Sequence, residues 1–315
     1  MKHFAMIMLM AVIISVVSGG LALAEEQLKL VFITCAVNEA FFEPVKQGMQ
    51  DAAAMMGVQA DFIGTEGVDL EAQAAMVTKA VEDGYDGVAL NVIDAEAFTE
   101  VTQAAMAQGV PVVAFNVDAT NGKGSHLSFI QQDFYAAGQT IGNKAAPALA
   151  DGAKVLFTVH HHGISALDDR LKGIQDALKE QKNAVGEVIA TGTDPGKAAE
   201  MIADELKADP DIQAVFCTGQ ADTEGAGLAM EKFFPDTSRY VAGFDLSPEI
   251  LRLIKAGYIA FTIDQQPYTQ GFYPVIQLVL NIRYGLSPSN IDAGAGIVMK
   301  DNVDSVMKLS AEGYR

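Results

Sequence analysis

Short apolar runs alternate with longer stretches of helical period along most of this chain. Ten runs rich in Val, Ile, Leu and Phe read as strands: 28–34, 59–63, 87–91, 112–116, 127–130, 155–158, 185–190, 214–217, 240–244 and 259–263. Several are continuous rather than alternating, as strands of a parallel sheet buried on both faces are. Between them lie apolar stripes that recur every three or four residues. Leu70, Ala74, Val77 and Val81 share one helix face, with Asp69 placed to cap it and Asp83-Gly84 to stop it. Phe98, Val101 and Ala105 make the next stripe, closed by Gly109 ahead of Pro111. Ala198, Ile202 and Leu206 make another, stopped at Asp209-Pro210.

Strands alternating with helices of this length predict βαβ units and a parallel sheet, an α/β fold. The pattern occurs twice, before residue 130 and after residue 153. No Gly/Ser- or Pro-rich linker separates the halves. Two similar, closely connected lobes fit better than two tethered domains.

Residues 1–24 stand apart. Lys2 is followed by an apolar stretch from Phe4 to Val17, and Ala22-Leu23-Ala24 gives the small-x-small pattern of a cleavage site. This predicts a signal peptide cleaved after Ala24 and a periplasmic location. The apolar run is short for a bilayer span of about 20 residues. The 315 residues carry 21 Lys+Arg against 40 Asp+Glu, a formal charge of −19. That balance excludes nucleic acid as a partner, because phosphate binding needs clustered cations. It also opposes adsorption to an anionic membrane. Cys35 and Cys217 fall in strand runs and read as buried free thiols.

Polar residues gather where the strands end: Asn38, Asn91, Asn116, Gln132-Asp133, His160, Gly219-Gln220, Asp245 and Gln265. In open α/β sheets ligands bind outside the carboxyl ends of the strands. Amides and carboxylates of this kind suit a ligand with many hydroxyls. Phe41, Phe42, Phe134 and Phe244 can cover the apolar faces of a sugar ring. His160-His161-His162 places two rings on one face of an extended segment, but no Cys or carboxylate accompanies them at metal spacing, so no metal is expected. The run Gly192 to Ala198 lacks the glycine spacing and the Ser/Thr of a phosphate loop. It reads instead as a loop in which Asp194 caps a helix with Pro195 at its first position. No nucleophile elbow is found, so no catalytic residue and no cofactor are assigned.

Taken in order, these residues resemble the periplasmic sugar-binding proteins of ABC transporters, of the ribose-binding type. The markers are Asn38-Glu39-Ala40-Phe41-Phe42, the segment Val112 to Asp118, Arg170-Leu171-Lys172-Gly173 in the first helix of the second half, Gly243-Phe244-Asp245, and Asp264-Gln265-Gln266-Pro267. The resemblance runs from about residue 28 to 300. It implies the type I periplasmic binding protein fold, two Rossmann-like lobes joined by a three-segment hinge. The amino lobe would hold 25–132 and 266–294, and the carboxyl lobe 133–265 and 295–315. A monosaccharide or polyol would bind in the interlobe cleft, and a monomer would deliver it to a membrane permease.

The resemblance assigns ligand contacts to Asn38, Phe41, Phe42, Asn91, Asn116, Asp245 and Gln265, with Phe244 as a stacking wall. Gln132, Asp133, Phe134, His160, Asp168, Arg170, Gln220 and Asp222 complete the candidate set. The chain departs from ribose binders at three places. Asn116-Val117 stands for an Asp-Arg pair, Asp168 for a ligand-contacting Arg, and Gly219 for an Asn. Ribose itself is therefore not expected. The competing readings are a sensor that presents its ligand to a chemoreceptor or kinase, a binder of a nucleoside or furanosyl signal, and an enzyme acting on sugars.

Overall fold

The computed structural model describes residues 27–236 and 238–315. The signal peptide expected over 1–24 lies outside the described residues. The first half runs β1 (Lys29–Thr34), α1 (Glu43–Met56), β2 (Gln59–Gly64), α2 (Leu70–Glu82), β3 (Gly87–Val92), α3 (Thr99–Ala107), β4 (Val112–Asp118) and β5 (Phe129–Gln131). The second runs α4 (Phe134–Ala145), β6 (Lys154–Val159), α5 (Ser165–Lys182), β7 (Val185–Ala190), α6 (Pro195–Ala208), β8 (Ile212–Cys217), α7 (Gln220–Phe233), β9 (Tyr240–Phe244), α8 (Pro248–Ala256) and β10 (Phe261–Asp264). The chain then adds α9 (Pro267–Tyr284), β11 (Ile291–Asp292), β12 (Gly296–Met299) and α10 (Val303–Ala311).

The strands form two six-stranded sheets that match position for position. One is ordered β2-β1-β3-β4-β5-β11, the other β7-β6-β8-β9-β10-β12. Every pairing is parallel except β10 with β12. The central strands β3 and β4 are buried along their whole length. The outer strands β2 and β7 are partly exposed, as sheet edges are. Each sheet has an apolar core on both faces, which is why its inner strands read as unbroken apolar runs.

The helix signals act as the sequence suggests. The carboxylates of Asp69 and Asp194 accept from the backbone N–H of Ala72 and Lys197, capping α2 and α6. Two strands were not anticipated. With two and four residues, β11 and β12 are too short to carry a period. Arg170 sits on the second helix of its lobe rather than the first, because α4 precedes it.

The chain crosses between lobes three times. After β5 it enters α4, which packs on α5 in the second lobe. After β10 it returns as α9, which packs on α1 in the first lobe. The third crossing joins β11 to β12. Each lobe thus takes a helix fed to it across the hinge, and glycines let both helix pairs approach closely. A Cβ at Gly138 would stand 2.2 Å from the Arg170 carbonyl oxygen, and one at Gly173 2.2 Å from that of Tyr135. In the other lobe a Cβ at Gly48 would stand 2.0 Å from the Tyr268 oxygen, and one at Gly271 1.9 Å from that of Val45. These neighbours are backbone and cannot swing aside.

Gly271→Ala should therefore push α9 off α1 and cost about 3 kcal/mol, the upper end for an overpacked core. Thermal denaturation should show a melting point lower by several degrees; an unchanged value would mean that the helices are not held at this distance.

Candidate functional site

The carboxyl ends of β4 and β9 occupy equivalent places in the two sheets, and both carry a strained polar residue. Asn116 has φ 64° and Asp245 φ 70°. Asn and Asp tolerate this left-handed region better than other residues with a side chain. Each thereby turns its side chain toward the gap between the lobes.

From these ends a hydrogen-bonded chain runs across the molecule. Asn91 Nδ2 donates to Asn116 Oδ1 (3.1 Å), and Asn116 Nδ2 donates to Gln270 Oε1 (3.0 Å). Gln270 Nε2 donates to the Gln265 carbonyl (2.8 Å) and Oε1 (3.2 Å). Gln265 Nε2 donates to Asp245 Oδ1 at 2.6 Å. Every amide passes its donor in one direction, and the chain ends on a carboxylate, which only accepts. Such chains polarise each other in a low-dielectric interior. All of these side chains are buried.

Asp245 Oδ2 lies 3.7 Å from Nη1 of Arg170, whose side chain is 2 % exposed. Arg170 donates from Nε and Nη2 to Gln132 Oε1 and from Nη1 to the Thr218 carbonyl. Its guanidinium carbon lies 4.1 Å from the Phe244 ring centroid and 5.2 Å from that of Phe134. Gln132 Nε2 in turn donates to the Gly294 carbonyl in the third crossing. Burial pushes the Asp245 carboxyl up, although the charges of Arg170 and His160 and the Gln265 bond oppose it.

His160, just past β6, has its ring beside Gly219. A Cβ at Gly219 would meet the ring at 2.6 Å. The imidazole therefore fills the space that a side chain at 219 would need, which ties the departure at Gly219 to His160. His160 Nε2 stands 3.0 Å from Asp222 Oδ1, an ion-pair distance without the alignment of a hydrogen bond. Burial alone would lower the His160 pKa, but the neighbouring Asp222 carboxylate, with charge from Asp245, outweighs it and raises it.

The candidate residues divide into three groups. Asn91, Asn116, Gln132, Arg170, Asp245 and Gln265 join in one network. Phe41, Gln220 and Asp245 border a small chamber of about 30 Å³ between the lobes, together with Pro44, Asp264 and Arg315. The rest do other work. Phe42 is in the first-lobe core. Phe244 is fully buried beneath Arg170 and supports it, so it is not an open stacking wall. Asp222 is fully buried and accepts from Thr158 Oγ1 and the backbone N–H of Thr218 and Gly219, so its carboxylate is occupied by the protein itself. Asp133 caps α4. Asn38 is exposed and donates to Glu66. Arg170, not the nearby Asp168, enters the network.

Gln132, Asp133 and Phe134 also line a wider cavity of about 630 Å³ beside the hinge, at the carboxyl ends of β5 and β11, with Asp169, Lys172 and Asp292. Two network members escaped the sequence reading. Gln270 is a lone buried amide in an otherwise apolar stretch of α9, a signal visible in retrospect, and Thr218 contributes only its backbone.

A sequence profile described as the periplasmic binding protein domain matches residues 30–284. The chain is 29% identical over 297 residues to the xylose/arabinose-binding protein XylF of Sulfolobus acidocaldarius, covering 90% of this chain and 73% of that one. It is 29% identical over 231 residues to the ribose import binding protein RbsB of Bacillus subtilis, covering 73% and 74%. Among solved structures, a carbohydrate transporter from Acidothermus cellulolyticus in complex with myo-inositol superimposes with a TM-score of 0.80 at 29% identity, covering 92% of this chain and all of that one.

The raised His160 pKa has a stability consequence. Its contribution is complete below the ordinary histidine value of about 6.5 and is lost as pH rises through the higher folded value. The melting point of the protein should exceed that of His160→Gln most at pH 6, and the difference should shrink by pH 9. A constant difference would show that His160 is not held as an imidazolium.

Proposed function

Since the chain belongs to the periplasmic binding protein domain family, we propose that it is an exported solute-binding protein for a monosaccharide or related polyol. It is cleaved after Ala24, works in the periplasm as a monomer, and passes its ligand to the permease of an ABC transporter. Its lobes, 25–132 with 266–294 and 133–265 with 295–315, close on the ligand by a hinge motion.

The observation that carries this reading is the buried network between the two sets of strand ends. It joins amides of the first lobe to a carboxylate and a guanidinium of the second. A ligand with several hydroxyls needs both donors and acceptors at fixed positions, and amides supply both. Asp245 supplies the strong acceptor, because hydrogen bonds to a charged group are the strong kind. Phe41 borders the chamber, which at about 30 Å³ holds about one water; with the lobes further apart its ring would face sugar C–H groups. Arg170, whose three guanidinium nitrogens each donate to a protein acceptor, pairs with Asp245 and holds it in place. The relatives named for xylose/arabinose and ribose, and the neighbour holding myo-inositol, support the same chemical class.

Thermal unfolding against pentoses, hexoses, deoxy sugars and polyols tests it. A ligand at about 1,000 times its dissociation constant adds roughly 4 kcal/mol, a shift of several degrees. No shift with any of them would overturn the sugar reading. Asp245→Asn should weaken the bound sugar by about 2 kcal/mol. Because the Asp245 carboxyl titrates above the usual range, affinity of the unmutated protein should fall as pH is lowered, and Asp245→Asn should flatten that profile. Equal affinities across pH, measured by calorimetry, would remove Asp245 from the site.

A further inference from the structure

Beyond the three covalent crossings and the apolar cluster of Ile93, Val117, Phe134 and Ala166, the lobes also meet at the last helix. Helix α10 belongs to the second lobe. Val303 and Val306 are in its core, and Asp304 pairs with Lys255 of α8. The helix ends in a Schellman motif: Gly313, at φ 83°, donates to the Ser310 carbonyl, and Tyr314 N–H donates to that of Leu309. This local geometry fixes the direction in which the last residues leave the helix.

They leave toward the first lobe. Gly313 comes near Gln47 of α1: a Cβ built there would lie 3.6 Å from Gln47 Cγ. The Tyr314 ring centroid lies 5.4 Å from that of Tyr268, in the first turn of α9. Tyr268 is fixed in its turn by donating its hydroxyl to Asp51 of α1 at 2.8 Å. Arg315 then turns back to the hinge. Its Nε donates to Asp264 Oδ2 at 2.6 Å, and the Asp264 side chain is 1 % exposed. The other Asp264 oxygen accepts from the Gln266 N–H at 2.7 Å, at the second crossing. The Arg315 side chain borders the interlobe chamber beside Phe41, Gln220 and Asp245.

We propose that residues 313–315 form a strap that holds the lobes closed over the cleft, with Tyr314 as the contact across the lobes and Arg315 as a positioning residue acting through Asp264. Asp264 and α10 both belong to the second lobe, so the Arg315 ion pair survives opening and keeps the strap in register. The Tyr314–Tyr268 contact spans the lobes, so opening must break it. The strap therefore favours the closed form whether or not the cleft is filled. What it retains there rests on the sugar-binding reading above; its effect on the lobes does not.

The test compares the unmutated protein with Tyr314→Ala, Tyr314→Phe and Arg315→Ala. Small-angle X-ray scattering of the ligand-free proteins should give a larger radius of gyration for Tyr314→Ala and Arg315→Ala, while Tyr314→Phe, which keeps the ring, should match the unmutated protein. For whichever of xylose, arabinose, ribose or myo-inositol raises the melting point, stopped-flow dissociation should be roughly three- to tenfold faster in the two alanine variants, as loss of one aromatic pair implies. Identical scattering in all four proteins would overturn the strap. Sugar binding with unchanged dissociation would do so too, leaving the capture of sugar intact. Failure of every sugar to bind would count against the sugar-binding reading alone, since the scattering result stands without a ligand.

Discussion

A guanidinium that is almost wholly removed from water sets the terms for the centre of this molecule. Arg170 cannot shed its proton, and an unpaired charge at such depth would cost several kcal/mol. Its surroundings answer that cost in four ways: the Gln132 amide oxygen, the Thr218 carbonyl, the Asp245 carboxylate, and the faces of Phe244 and Phe134. Each partner then constrains something else. Gln132 begins the first crossing and also holds the Gly294 carbonyl in the third. Asp245 holds Gln265 in the second. The three hinge segments are thus tied to one buried cation and its acceptors. Removing any one partner would leave a buried polar group unsatisfied rather than merely lose a contact.

The two lobes are built to one plan and differ where chemistry is needed. Asn116 and Asp245 share a position and a strained backbone, yet one is a neutral amide and the other a carboxylate. Gln132 and Gln265 open the first two crossings. Five residues into the helices that follow, a glycine admits the neighbouring helix in both lobes, at Gly138 and at Gly271. One residue earlier the pair is Ala137 in one lobe and Gln270 in the other, and it is Gln270 that bridges Asn116 to Gln265. The first lobe offers the gap amides alone, whereas the second offers charge. A ligand with uncharged hydroxyls can satisfy both sides at once.

The strand-end residues were legible because two rules coincide there: apolar runs mark the buried strands, and polar residues after them must face the gap. Asn91, Asn116, Asp245 and Gln265 follow from those rules. For Phe244 and Asp222 the same logic was insufficient, since position at a strand or helix end does not say which way a side chain turns. Phe244 turns beneath Arg170, and Asp222 turns back onto the amino end of its own helix. Asp168 and Arg170 were both candidates, and spacing alone does not say which of them turns inward. Two residues along a helix is a large change of direction, and only one of the pair points into the network.

The sequence by itself determined the doubled βα pattern, the helix caps at Asp69 and Asp194, the acidic charge and the polar character of the strand ends. All of these rest on local periodicity, local hydrogen bonding or composition. Only the tertiary structure decided the exchange of helices across the hinge, the place of Gln270, the approach of His160 to Gly219 and the return of Arg315 to Asp264. Each of these joins residues distant in sequence, and their meeting depends on how two sheets and their crossings are arranged in space, which no window of neighbouring residues encodes.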